Sequence, residues 1–334
     1  MDLLNNIFSV TFPFFALVLC GYWLTRRGMV ALETIPGFNF YVLYLALPAM
    51  LFRFAASTPI ASLLDPGTVL AYLVCALGML VLTVLTTRRG AIGWNDAAFG
   101  ALVAAFPNSG FMGVPLLVAL LGSAAAAPAI VALSIDMVLT SSLCIALSRL
   151  DGQGMSSAGR AARQALVGMA LNPLPWAILS GSLLSASELP LPVAANAWLN
   201  LLAQSASPVA LFTLGCVLAR TQKWAQAAPA SRAAKPRDVG KIVAYKLLLH
   251  PALVWAVGQL LVLAGVPLDP FSALVLVLVA ALPSASNVPM LAERFGADAG
   301  RLAQVVLLTN AIAFVTFTVV VMSVVPGDLV VGGR

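Results

Sequence analysis

The chain has 334 residues, 61% of them hydrophobic and 9% charged, with a mean hydropathy of +1.00. A soluble domain carries roughly a quarter charged residues, so a chain this apolar belongs in a membrane. Its long apolar runs exclude a β-barrel, whose strands alternate over about ten residues, and the net charge of +6 reads as a topology signal, not as a nucleic-acid footprint.

Ten membrane spans are predicted, at about 7–25, 38–57, 67–87, 95–121, 126–148, 164–185, 194–219, 240–264, 271–292 and 301–325. The first has no basic segment before it and no cleavage site after it, so it reads as a retained helix, not a signal peptide. The fourth contains Phe106-Pro107-Asn108-Ser109-Gly110-Phe111-Met112-Gly113-Val114-Pro115. Two prolines and two glycines in nine residues cannot continue a regular helix, and backbone freed inside lipid must line protein or a wet cavity. The ninth is interrupted in the same way by Ala281-Leu282-Pro283-Ser284-Ala285-Ser286-Asn287-Val288-Pro289. One such break reads as a proline kink; two in matching places point to a transporter built from repeats.

The loops after odd-numbered spans hold fifteen of the 18 Lys and Arg. The positive-inside rule puts both termini on the non-cytoplasmic side of the inner (plasma) membrane. The longest polar stretch, within 220–239, reads as a cytoplasmic linker.

An internal repeat divides the chain into 1–150 and 151–334. Pro13 and Pro173, and Pro48 and Pro208, are 160 residues apart; Pro115 and Pro289, and Asp136 and Asn310, are 174 apart. Five spans per repeat is an odd number, so the second copy enters the membrane inverted. The expected fold is all-α and integral to the membrane, with ten transmembrane helices as two inverted five-helix repeats.

The sequence resembles the auxin efflux carrier family, in particular its bacterial malonate or organic-acid permeases. The resemblance rests on Phe12-Pro13 with Gly21-Tyr22, Leu47-Pro48-Ala49-Met50-Leu51-Phe52, the Pro107–Pro115 segment, Asn172-Pro173, Lys246-Leu247-Leu248-Leu249-His250-Pro251 and Pro283-Ser284-Ala285-Ser286-Asn287. It implies that broken helices 4 and 9 cross where both unwind, as in bile acid:sodium symporters. It also implies a small carboxylate such as malonate as substrate.

At the breaks, Asn108, Ser109, Gly110, Gly113, Ser286 and Asn287 offer side-chain or backbone hydrogen bonds to a carboxylate; the competing role is to tie up loose backbone. Asp136 is the acidic residue set deep inside a span, so it must be protonated, paired or bound to a cation, and is the candidate for a coupling proton. A structural hydrogen bond between helices is the plainer reading. Its repeat-mate Asn310 could face the same cavity. Arg53 and Lys246 would snorkel to an interface or attract anions, and His250 would relay protons or bond into the break at Pro251.

No Walker motif, His-x-x-x-His, Gly-x-Ser-x-Gly or paired acidic motif is present, which argues against an enzyme. Cys20, Cys75, Cys144 and Cys216 lack metal-ligand spacing and should form no disulfides. The expected partners are a small carboxylate and the lipid bilayer, with H+ or Na+ as coupling ion, no nucleic acid, no metal, no cofactor, and a homodimer left open. The rival reading is a non-transporting membrane receptor or scaffold using the same pocket.

Overall fold

The computed structural model describes residues 2–89, 92–150, 163, 167, 170–227, 236–326 and 329. Arg160, Arg232, Lys235, Asp328 and Arg334, and most of the start of the predicted sixth span, lie outside the described residues. Apart from single turns, the helices are α1 (Asp2–Arg26), α2 (Leu32–Ala56), α3 (Pro66–Thr87), α4 (Trp94–Ala105), α5 (Ser109–Leu121) and α6 (Ser123–Ser148). The second half contributes α7 (Pro173–Ser187), α8 (Val193–Ala227), α9 (Arg237–Leu263), α10 (Pro270–Ala281), α11 (Val288–Arg294) and α12 (Ala299–Val324). Seven of these, α1, α2, α3, α6, α8, α9 and α12, are long and apolar enough to cross a membrane. The others are short because α4 and α5, and α10 and α11, are halves of interrupted helices, and because α7 is described for only 15 residues.

The 220–239 stretch is more helical than its composition suggests. Helix α8 runs through Arg220 to Ala227, and the chain is helical again from Pro236.

Prolines inside spans are absorbed by locally wide turns. Pro48, Pro115 and Pro251 each follow a π-turn by two residues, the turns being Val42–Ala46, Ser109–Gly113 and Tyr245–Leu249. In each, the residue before the proline bonds to the carbonyl five back: Leu47 to Val42, Val114 to Ser109, and His250 to Tyr245. The widened turn makes room for a ring that would otherwise strike the carbonyl four residues back. A fourth π-turn, Asp136–Thr140, has no proline behind it.

Helices α1, α2, α7 and α8 pack against one another, while α3, α4, α6, α9, α10 and α12 surround the two breaks. Every residue from Ala97 to Ala105 and from Val275 to Ala281 is buried, so the interrupted helices lie at the centre. Two contacts in the first group mirror each other. A methyl placed on Gly21 of α1 would sit 2.1 Å from the Phe212 carbonyl oxygen of α8, and one on Gly181 of α7 would sit 2.4 Å from that of Phe52 in α2. Gly21 and Gly181 are 160 residues apart, and so are Phe52 and Phe212. Such close backbone approach through small residues is how helices associate without a hydrophobic drive between them.

The contacts also sort the loops into two ends. At one end Tyr22 donates to Gln222, Lys241 Nζ donates to the Thr86 carbonyl at 2.8 Å, and Asn95 Nδ2 to that of Phe295 at 3.1 Å. There the Arg88 guanidinium lies 4.1 Å from the Trp94 ring centre and that of Arg149 5.0 Å from Phe295. Arg220 reaches Met290 across the same end. At the other end Ser185 Oγ donates to the Thr58 carbonyl at 2.9 Å, and Gly67 lies against the carbonyl of Pro267. Asp65 and Asp269 cap their helices there, accepting from the amides of Thr68 and Ser272 at 2.8 Å each.

Candidate functional site

Helix α4 stops because Phe106, preceding Pro107, is driven out of the helical region to φ −93°, ψ 103°. Leu282, preceding Pro283, leaves α10 in the same manner at φ −63°, ψ 154°. The two extended segments then meet antiparallel. The Asn108 amide donates to the Pro283 carbonyl at 2.8 Å and the Ala285 amide to that of Phe106 at 3.0 Å. Backbone groups freed by one break are thus satisfied by the other, with no need of water. Ser284 completes the crossing: its Oγ donates to the Val103 carbonyl at 2.7 Å and its amide to Thr309 Oγ1 of α12 at 3.3 Å.

The second proline of each motif does not break anything. Pro289 stands in the first turn of α11, where a missing N–H costs no bond, and Pro115 lies inside α5, accommodated by the π-turn Ser109–Gly113.

Asn108 is buried at 2% exposure. Its carbonyl accepts from the amides of Met112 (3.1 Å) and Gly113 (3.0 Å). Its Nδ2 and the Oγ of Ser109, which is fully buried, have no hydrogen-bond partner. Two adjacent polar groups left empty cost about 1–3 kcal/mol each, a penalty that a ligand at the break would lift. The Gly113 amide is already used, and its missing side chain admits Leu282, whose Cδ1 would lie 2.5 Å from an added methyl. Gly110 packs beside Leu133 of α6. Ser286 is buried, whereas Asn287 is exposed at the start of α11 and makes no capping bond. The two asparagines are therefore not equivalent. Asn310 is nearly buried and returns its Nδ2 to the Val306 carbonyl at 2.8 Å.

A second polar cluster lies where α3, α6 and α9 pack together and reaches the end of α10. Asp136 is fully buried at the head of its π-turn; Oδ2 accepts from Tyr72 Oη at 2.6 Å and Oδ1 from Thr140 Oγ1 at 3.0 Å. Lys246, also fully buried, donates to the Ala280 carbonyl at 2.8 Å and meets His250 Nδ1 at 3.1 Å. The expectation that Lys246 snorkels is therefore corrected: its ammonium faces inward and caps the last turn of α10, three residues before Pro283. With Lys246 protonated, its ammonium only donates and His250 accepts at Nδ1; His250 Nε2 finds no partner. His250 does not bond into the break at Pro251. Lys246 and Asp136 do not close an ion pair. The His250 and Tyr72 rings face each other at 6.3 Å between centres, tying the groups into one cluster.

Arg53 belongs to neither group. It donates to Asn200 of α8, joining α2 to α8 beside the Tyr41–Ser205 hydrogen bond of 2.7 Å. The four cysteines are free, and no His, Cys, Asp or Glu group among the described residues could hold a metal.

Sequence reasoning missed Tyr72, Thr140, Ser284 and Thr309 as site builders. A signal for the first was present, since Tyr72 and Lys246 are 174 residues apart, the offset already shared by Asp136 and Asn310.

Comparison with known proteins finds relatives named as transporters. A 318-residue alignment with a protein of Rhizobium meliloti (strain 1021) named "Putative malonate transporter" is 28% identical and covers 94% of each chain. The "Uncharacterized transporter YfdV" of Escherichia coli (strain K12) is 27% identical over 85% of this chain and 86% of its own. An "Uncharacterized transporter" of Methanothermobacter thermautotrophicus is 25% identical over 90% of this chain and 92% of its own. The family profile described as "Membrane transport protein" matches residues 7–321. With motifs and profile in agreement along nearly its whole length, this chain belongs to the membrane transport protein family, the auxin efflux carriers among them.

Proposed function

We propose that the chain is a secondary permease that moves a small mono- or dicarboxylate such as malonate across the inner membrane by alternating access. The observation that carries this reading is the empty pair Asn108 Nδ2 and Ser109 Oγ, buried where two broken helices cross. Helix α5 begins there, so its positive end and unpaired donors favour a carboxylate. Malonate is suggested by the name of the Rhizobium relative.

Ten crossings in two inverted repeats fit the loop arrangement, in which loops after odd-numbered spans gather at one end. The mirrored Gly21–Phe212 and Gly181–Phe52 contacts support a two-fold relation between the halves. In this reading α1, α2, α7 and α8 form a frame against which the other helices move. Asp136 carries a coupling proton, held between Tyr72 and Thr140 when charged.

Purified protein in proteoliposomes tests the reading. Labelled malonate should exchange between equal pools, and an imposed pH difference should drive its accumulation. Asp136→Asn keeps the size of the side chain and abolishes titration, so exchange should persist while accumulation is lost. Absence of any carboxylate flux through the parent would leave a receptor. Accumulation by Asp136→Asn equal to the parent's would remove the proton role.

A further inference from the structure

At the end where the basic loops gather, a partly buried circuit centred on a buried arginine joins three helices that carry the site. Arg301, 4% exposed in the first turn of α12, donates through Nε to Asp238 Oδ2 of α9 at 2.5 Å and through Nη1 to the Asp96 carbonyl of α4 at 2.9 Å. Asp96 Oδ1 accepts from the Asp298 amide at 2.8 Å, and Asp298 Oδ1 accepts from the Arg301 amide at 2.9 Å. The loop of bonds therefore closes on itself through α4 and the start of α12, with α9 attached by the ion pair. Gly100 of α4 makes room for it: an added methyl would lie 3.2 Å from Arg301 Nη2 and 3.5 Å from Nη1.

What the circuit holds becomes clear on following each helix inward. Eight residues beyond Asp238 is Lys246, eight beyond Arg301 is Thr309, and eight beyond Gly100 is Asn108. At 1.5 Å per helical residue this is about 12 Å along α9 and α12, with the last residues of α4 unwound. The three site groups thus stand at a common depth below one fastening point. Their bonds tolerate little axial slip: Lys246 to Ala280 is 2.8 Å, Ser284 to Thr309 is 3.3 Å, and Asn108 to Pro283 is 2.8 Å.

We propose that Arg301 is a positioning residue whose fork to Asp238 and the Asp96 carbonyl sets the axial register of α4, α9 and α12, and through them the geometry of the crossing. Its effect on substrate rests on the transport reading above; its effect on the crossing does not. A lysine at this position keeps the charge but cannot serve two acceptors in the fixed directions of a guanidinium. Truncating Asp238 to alanine removes one arm and leaves the other.

The test compares Arg301→Lys and Asp238→Ala with Lys241→Gln, which removes a bond to α3 at the same end without touching the circuit. Hydrogen–deuterium exchange is followed in purified, ligand-free protein at the Asn108 and Ala285 amides, whose bonds form the crossing. Both circuit variants should accelerate exchange there at least tenfold, and Lys241→Gln should leave it unchanged. Binding of malonate should weaken by at least tenfold in the same two variants. Unchanged exchange at the crossing in both circuit variants overturns the proposal, and so does equal acceleration by Lys241→Gln, which would reveal only a general loosening of that end. If the parent binds no malonate, the malonate assignment fails and the exchange measurement still decides the role of Arg301.

Discussion

Asn108 performs two jobs with different parts of one residue. Its backbone amide and carbonyl are fully used in holding the break, while its Nδ2 is left over in a buried place. The two readings of this asparagine from sequence, structural tie and ligand group, are therefore compatible, and mutation separates them. Asn108→Ala leaves the backbone bonds intact and removes only the empty donor. A hydrogen bond to a charged group is worth about 1.5–3 kcal/mol, so the Kd for malonate should rise roughly 10- to 150-fold. Native affinity in isothermal titration would reduce Asn108 to its structural role. Asn287 makes a sharper contrast than the sequence suggests. It is exposed and uncapped, so Asn287→Ala should cost less binding than Asn108→Ala in the same titration.

Helices depart from regularity here for reasons that proline explains in part. The breaks at Pro107 and Pro283 were legible because each forces the preceding residue out of the helix. The harmlessness of Pro115 and Pro289 was not legible, since the first depends on a π-turn before it and the second on where the next helix begins. Nor was the inward course of Lys246, because a wide turn at Tyr245–Leu249 and the end of α10 must both be in place before its ammonium finds the Ala280 carbonyl. Asp136 was conspicuous as an acid deep in a span, but its partner Tyr72 is a residue that apolar spans carry without comment. The close contacts of α1 with α8 and of α7 with α2 yield a paired expectation. Gly21→Ala and Gly181→Ala each force a methyl into a carbonyl oxygen, and overpacking of this kind costs about 1–3 kcal/mol. Thermal unfolding followed by tryptophan fluorescence in detergent should show both variants destabilised alike. A large effect from one and none from the other would break the proposed correspondence of the halves.

Across the described residues, contacts place Arg88, Arg149 and Lys241 at one end and the Asp65 and Asp269 caps at the other, and we propose from the positive-inside rule that the basic end faces the cytoplasm. Lys223→Cys, exposed near the end of α8, should resist a membrane-impermeant thiol reagent in intact cells, whereas Glu188→Cys should react. The opposite labelling pattern would invert the orientation. The crossing itself has a consequence for how such a molecule can diversify. Its two rungs run from amide to carbonyl, and the side chains they draw on are few: the rings of Pro107 and Pro283, and the hydroxyls of Ser284 and Thr309. Other residues beside the rungs can change without removing these bonds. A lineage built on this frame can exchange one cargo for another by drifting at a handful of positions, while the scaffold that moves the cargo is inherited unchanged.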